Sequence, residues 1–175
     1  MPEKRLPEKG SPGFQENQGR LPAGWVVALC ISAVFAGLYF FSGDRTPRHI
    51  ARAQVVQAIG GEVSHELADF SDGKARYFLF RSEAQEVRYF ILMGADGVVR
   101  VALDACEVCW QENLGYVQDG ESMVCAHCGL RFPFSQIGMK QGGCHPVPLN
   151  HRVEGGRLIL SVEDLQEAVA YFTFS

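Results

Sequence analysis

Five of the six cysteines in this chain lie in its second half, at spacings that are typical of metal-binding sites. Cys106 and Cys109 form one Cys-x-x-Cys pair, and Cys125 and Cys128 form a second pair after fifteen intervening residues. Two cysteines three residues apart on a tight turn can direct both sulfur atoms at one point, and a second pair completes a tetrahedral or cluster site. We therefore predict that these four cysteines bind a metal.

The spacing of the pairs leaves the chemistry of this site open. Zinc is the usual metal of paired cysteine turns, and iron–sulfur clusters are also held by four thiolates. Disulfide formation is the other interpretation, but redox-active Cys-x-x-Cys motifs normally occur singly beside a βαβ pattern, which this sequence lacks. Gly129 directly follows the second pair and can adopt the positive φ that a metal-binding turn often needs.

Three further side chains are candidates for an accessory role at the site. Cys144 is a fifth potential ligand, a redox partner of the other thiols, or a small residue close to the metal. His127 lies inside the second pair, His145 follows Cys144, and hydrogen bonds from either ring to sulfur would raise a reduction potential. The alternative interpretation is that both are partly exposed loop histidines. The apolar residues expected to surround the site are Phe132, Phe134, Ile137 and Leu149.

The elements that position the cysteines are predicted to be short strands separated by turns. Asp96-Gly97 and Gly155-Gly156 are hairpin signals between stretches rich in β-branched and aromatic residues. Ser161 is the predicted N-cap of a helix over 163–171. The fold class is therefore mainly β: a small antiparallel domain with a metal-binding loop insert and a short C-terminal helix. The predicted strands are 62–67, 75–81, 87–93, 98–103, 151–153 and 157–162.

Residues 21–43 contain no charged side chain and are predicted to form one transmembrane helix. At about 1.5 Å per residue, a helix over the apolar part, 21–41, reaches the hydrocarbon thickness of about 30 Å. A cleaved signal peptide is the alternative, but the apolar stretch exceeds the ~7–15 residues of a signal sequence. We divide the chain into a disordered tail over 1–20, the span, a stalk over 44–60 with a helix at 47–59, and a metal-binding domain over 61–175.

Basic residues near the span slightly favour a cytoplasmic N-terminus. The domain is then expected on the outer side of the cytoplasmic membrane. Folded cluster proteins usually need a twin-arginine export signal, and no Arg-Arg pair precedes the span, so a cytoplasmic domain, metal loading outside the cell and a zinc site stay open. The basic residues are Lys4, Arg5, Lys9 and Arg20 before the span and Arg45, Arg48 and Arg52 after it.

The composition excludes several classes of function. The formal net charge of −4 comes without a basic stripe, which argues against nucleic-acid binding. The sequence contains no nucleophile–base pair, no paired catalytic carboxylates and no glycine-rich phosphate loop. We therefore do not expect a hydrolytic enzyme.

The cysteine region resembles a Rieske domain, in which C-x-H and C-x-x-H-G loops are followed by a proline-rich loop. Cys106 to Cys109, Cys125 to Gly129 and the stretch GGCHPVPL at 142–149 stand in those places. Cysteines replace both cluster histidines, so the implied site is all-thiolate. Because thiolates add negative charge, we predict a potential near the roughly −400 mV of all-cysteine clusters rather than −150 to +300 mV.

A second resemblance is to the FtrD-like family of bacterial membrane iron–sulfur proteins. It rests on short motifs in order: DACEVC at 104–109, the second cysteine pair, RFP at 131–133, QIG at 136–138, and the glycine–proline stretch from 142 to 149. The resemblance implies a membrane-bound, ferredoxin-like component associated with iron transport in some bacteria. The expected cofactor is a [2Fe–2S] cluster, and the expected partner is a membrane permease or redox protein. The alternative is a zinc-stapled binding module or metallochaperone with no redox role.

Overall fold

The computed structural model of this protein describes residues 31–32, 52–82 and 85–173 of the 175-residue chain. It divides into two units, Met1–Arg45 and Thr46–Ser175. The predicted tail over 1–20 and the predicted transmembrane helix over 21–43 lie outside the described residues, except for Ile31 and Ser32, which are helical. Within the described ranges, no helix has the length and apolar character needed to cross a membrane.

The described part of the second unit is mainly β, with one short α-helix near its C-terminus, as the sequence predicted. The helix, α1, spans Val162–Glu167, and a 3-10 turn over Ala168–Phe172 follows it. The strands in chain order are β1 Gln54–Val56, β2 Glu62–Glu66, β3 Arg76–Ser82, β4 Gln85–Met93, β5 Val99–Leu103, β6 Tyr116–Asp119, β7 Ser122–Cys125, β8 Arg131–Pro133, β9 Arg152–Glu154 and β10 Arg157–Ser161.

A four-stranded sheet in the order β1-β3-β4-β5 forms the middle of the domain. Strands β3, β4 and β5 pair antiparallel, whereas β1 pairs parallel with β3, so that Val55 lies opposite Leu79. The helix predicted over 47–59 is therefore wrong at 54–56. Two consecutive β-branched residues favour an extended chain, and the edge of β3 supplies the hydrogen-bonding partner that makes a strand there.

Both faces of this sheet are buried, and β4 shows how its sequence serves both. Val87, Tyr89 and Ile91 belong to one apolar core, and Phe90 and Leu92 belong to a second core; all are fully buried. Successive side chains of a strand point to opposite faces, so a strand covered on both sides needs a continuous apolar run. The aromatic and aliphatic run of β4 is thus explained by two separate packing partners.

The first face is covered by the sheet β2-β10-β9 and by α1. Leu158 and Leu160 of β10 and Leu165 of α1 are fully buried in this core. Ser161 caps the helix, because its hydroxyl accepts a hydrogen bond of 3.1 Å from the Asp164 N–H. The predicted N-cap is confirmed, and the predicted helix over 163–171 is divided between α1 and the 3-10 turn.

The second face is covered by the antiparallel sheet β6-β7-β8. Tyr116, Met123 and Phe132, one from each of these strands, pack in the core that also contains Phe90 and Leu92 of β4. The loop before β6, the end of β7 with the turn that follows it, and the loop after β8 carry the cysteines, so the third sheet positions the candidate site.

Candidate metal centre

The first cysteine loop joins β5 to β6 and carries Cys106 and Cys109. The Cys109 N–H donates a hydrogen bond of 3.0 Å to the Cys106 sulfur, so the backbone curls around that atom. Asp104, at the start of the loop, is buried and accepts a hydrogen bond of 2.7 Å from the Tyr116 N–H at its end. Cys106 is buried and Cys109 is half-buried, so the first loop places one cysteine in the interior and the other nearer the surface.

The second cysteine loop is the tight turn between β7 and β8. The Gly129 N–H donates to the Cys125 carbonyl, and the Cys125 N–H donates to the Leu130 carbonyl, both at 2.9 Å. Gly129 has a φ of +74°, as the sequence predicted for the residue after the second pair. The turn leaves Cys125 buried and Cys128 exposed.

The third loop lies between β8 and β9 and carries Cys144. The hydroxyl of the buried Tyr116 donates a hydrogen bond of 2.6 Å to the Cys144 carbonyl. The Val147 N–H donates to the Ala105 carbonyl at 3.2 Å, and the Leu103 N–H donates to the Val147 carbonyl at 2.8 Å. These contacts hold the third loop against β5 and against the start of the first loop.

Five sulfur atoms come together where the three loops meet. Those of Cys106, Cys109 and Cys144 lie within 4.8 Å of one another, and so do those of Cys109, Cys125 and Cys128. The Cys109 and Cys144 sulfur atoms are 3.6 Å apart, and all five residues are free thiols in the structure. The four cysteines predicted as ligands therefore lie in one cluster, together with the accessory candidate Cys144.

The donor set fits an iron–sulfur cluster. Thiolates are soft ligands that select zinc, copper(I) or iron–sulfur centres. With Zn–S bonds of about 2.3 Å, the four sulfur atoms around one zinc ion would all lie about 3.8 Å apart. Among the described residues, the compact groups contain three sulfur atoms each and share Cys109. Two overlapping groups suit a centre with more than one metal ion better than a single tetrahedral ion.

Burial and the neighbouring thiols raise the pKa values of three of these cysteines, which disfavours the thiolate form when no metal is bound. Burial raises the pKa of Cys109 and of Cys125, and it raises the pKa of Cys144 to about 11. Burial acts in the same direction on Cys128, but hydrogen bonds with Leu130 and with neighbouring thiols lower its pKa. A cationic metal centre stabilises thiolates, so metal binding here releases protons.

The two histidines near the cysteines face oxygen atoms with their Nδ1 atoms. His145 Nδ1 donates a hydrogen bond of 3.1 Å to the Gly142 carbonyl, and its ring lies 4.6 Å from the Phe132 ring. His127 is exposed, with Nδ1 3.8 Å from a Glu112 carboxylate oxygen. Hydrogen bonds from these rings to sulfur stay a prediction.

Tyr116, Asp104 and Gly115 are positioning residues that the sequence analysis did not single out. Tyr116 joins the first loop to the third, and Asp104 joins the two ends of the first loop. Gly115 has a φ of +64°, and a Cβ atom there would overlap the Asp104 carboxylate. The available signal was a glycine directly before the aromatic start of a strand, which marks close approach of backbone and side chain.

The model of a family described as "membrane iron-sulfur containing protein FtrD-like" matches residues 70–172, which is more than half of the chain. The matched range contains all five clustered cysteines. No curated protein matches the chain.

Proposed function

This chain belongs to the FtrD-like family of membrane iron–sulfur proteins, and we propose that it is a membrane-anchored electron-transfer protein with a [2Fe–2S] cluster. The observation that carries the proposal is the pair of overlapping sulfur groups, each within 4.8 Å, that share Cys109. When bound, such a cluster takes up and releases single electrons.

The proposed ligands are Cys106, Cys109, Cys125 and Cys128. Cys106 and Cys125 are buried and hold the group from the interior, whereas Cys128 is exposed and offers a short path to an electron partner. The hydrogen bond from the Cys109 N–H to the Cys106 sulfur stabilises negative charge on that sulfur. With four anionic ligands and no histidine ligand, the potential is expected at about −400 mV, without the pH dependence that ligating histidines bring.

We further propose where the protein works. The uncharged stretch over 21–43 would anchor it in a bacterial cytoplasmic membrane as a single span, with the cysteine domain outside the cytoplasm. The description of its family as membrane proteins supports the anchor. The resemblance to components of iron transport systems supports a role in iron uptake, with a membrane permease or a redox protein as the partner.

Metal and sulfide analysis of the full chain tests the cofactor. The protein would be purified in detergent without oxygen, and iron, zinc and acid-labile sulfide would be measured together with the visible spectrum. We expect equal amounts of iron and sulfide, and visible charge-transfer bands that bleach on reduction with dithionite. A colourless protein that contains zinc would overturn the electron-transfer proposal and favour a zinc-stapled binding module.

The variant Cys109→Ser tests the ligand assignment, because the Cys109 sulfur belongs to both compact groups. We expect this variant to lose most of its iron and its visible bands. Cys30→Ser is the matched control, since Cys30 lies in the predicted span, far along the chain from the other cysteines. An unchanged spectrum in Cys109→Ser would remove Cys109 from the ligand set.

A further inference from the structure

We propose that Cys144 is an exchangeable ligand that takes the place of Cys128 at the metal centre. This inference rests on the proposed function, since it concerns the same cluster. The site contains five clustered sulfur atoms, whereas a cluster with four thiolate ligands leaves one of them in excess. The structure indicates which two cysteines compete.

Three of the five cysteines have positions that favour permanent ligation. Cys106 and Cys125 are buried, so their sulfur atoms have little access to water when unligated. Cys109 belongs to both compact groups and is half-buried. Cys128 is exposed and Cys144 is half-buried, in contrast to the buried Cys106 and Cys125, and each lies within 4.8 Å of Cys109. The fourth ligand position is therefore shared by Cys128 and Cys144.

The surroundings of these two cysteines differ in a way that suits exchange. Cys128 is exposed on the tight turn between β7 and β8. Cys144 is half-buried, its carbonyl accepts the 2.6 Å hydrogen bond from Tyr116, and its sulfur lies 3.6 Å from that of Cys109. A sulfur atom held this close to a ligand sulfur needs only a small movement to reach the same metal centre.

The exchange is balanced without a redox partner. In the exchange, the Cys128 sulfur would leave the metal centre and the Cys144 sulfur would take its ligand position, so that one metal–sulfur bond would break and one would form. Cys144 gives up its thiol proton to water, and the released Cys128 thiolate takes up one proton. No electron moves, the number of thiolate ligands stays at four, and the exposed Cys128 thiol becomes available to a partner protein.

Three variants of the full chain, purified in detergent without oxygen, test this exchange: Cys128→Ser, Cys144→Ser and the double variant. Iron and sulfide per chain are measured, and the electron paramagnetic resonance spectrum is recorded after reduction with dithionite. We expect each single variant to keep at least about half of the wild-type iron, and the double variant to lose about tenfold, because the two thiols replace each other. Cys128→Ser should also show shifted g values, since one ligand has a new origin.

Cys109→Ser is the reference, because Cys109 belongs to both compact sulfur groups and its loss disrupts each of them. The proposal is overturned if Cys128→Ser loses as much iron as Cys109→Ser, or if the double variant keeps its cluster. Circular dichroism identifies a variant that fails to fold, and Tyr116→Phe in the Cys128→Ser background then gives the second test. This change removes the hydrogen bond to the Cys144 carbonyl, so it should lower the iron content further. No further loss of iron in that combination would also contradict the proposal.

Failure of this inference is distinguishable from failure of the proposed function. If the wild-type protein itself contains no iron and sulfide, the electron-transfer proposal fails, and the exchange fails with it. If the wild-type protein contains the cluster but Cys128→Ser does not, only the exchange fails.

Discussion

The two faces of the central sheet carry cores that are built for different purposes. The core between the sheets β1-β3-β4-β5 and β2-β10-β9 is lined by aliphatic and aromatic side chains on strands and on α1. The core between the central sheet and β6-β7-β8 contains the buried thiols of Cys106 and Cys125. One core is held by regular strand pairing, and the other supports three irregular loops.

The difference shows that one core of this domain mainly provides stability, whereas the other also determines the position of the cysteine loops. Apolar burial is non-directional, so it stabilises the first core without fixing the orientation of each side chain. Hydrogen bonds are directional, and in the second core Asp104, Tyr116 and Cys144 are linked by bonds of 2.7 and 2.6 Å that determine where the loops lie. Substitutions in the first core should therefore lower stability, whereas those in the second should also disturb the metal centre.

The largest effect is expected for Gly115→Ala in the second core. The new methyl group would overlap the Asp104 carboxylate, and the backbone φ of +64° is unfavourable for alanine. Overpacking and backbone strain together should lower the free energy of unfolding by about 4 kcal/mol. Urea unfolding measures the loss, and iron content should fall as well. Gly120→Ala is the control: Gly120 has a φ of +59° with open space around it, and it should cost only about 1–2 kcal/mol. Equal losses in the two variants would contradict the role assigned to Gly115.

A slightly smaller effect is expected for Leu160→Ala in the first core. Leu160 is fully buried, and such a truncation costs about 3 kcal/mol through lost burial and a residual cavity. The variant should unfold at lower urea concentration, yet the iron bound per folded chain should match the wild-type value. Loss of iron from the folded variant would show that the two cores are coupled more tightly than their packing indicates.

The smallest effect concerns pH and arises in the first core, at His65. Burial lowers the pKa of His65 to about 4, although Asp69 acts in the opposite direction, and Nε2 lies 2.8 Å from the Tyr89 hydroxyl. The folded state therefore resists protonation, and as pH falls from about 6.5 towards 4 the unfolded chain binds the proton first. We therefore expect the free energy of unfolding to fall by about 1–2 kcal/mol over this range. The loss stays this small because His65 is partly exposed and solvent screens its charge.

Urea unfolding between pH 7 and pH 4.5 measures this dependence. His65→Gln should remove most of it, whereas His151→Gln, at an exposed position, should leave it in place. A dependence on pH that is the same in wild type and His65→Gln would exclude His65 as its source.

Local patterns predicted most of the strands and part of the site. The strand predicted at 98–103 is β5 at Val99–Leu103, and the Asp96-Gly97 signal lies at the turn before it. The positive φ of Gly129 was also predictable, since a cysteine turn needs it. The pairing of β1 was not predictable in this way, because its partner β3 lies more than twenty residues along the chain.

The sequence by itself determined the number and spacing of the cysteines, the alternation of turns and β-rich runs, and the cap of α1 at Ser161. These features depend on interactions between residues a few positions apart, which a sequence displays directly. Only the tertiary structure decided that Cys144 lies 3.6 Å from Cys109 across 35 residues, and which side chains of β4 enter which core. Those outcomes depend on how separate sheets pack and on the hydrogen bond from the Tyr116 hydroxyl that links the first and third loops. Packing between segments that are distant along the chain leaves no periodic pattern in the sequence.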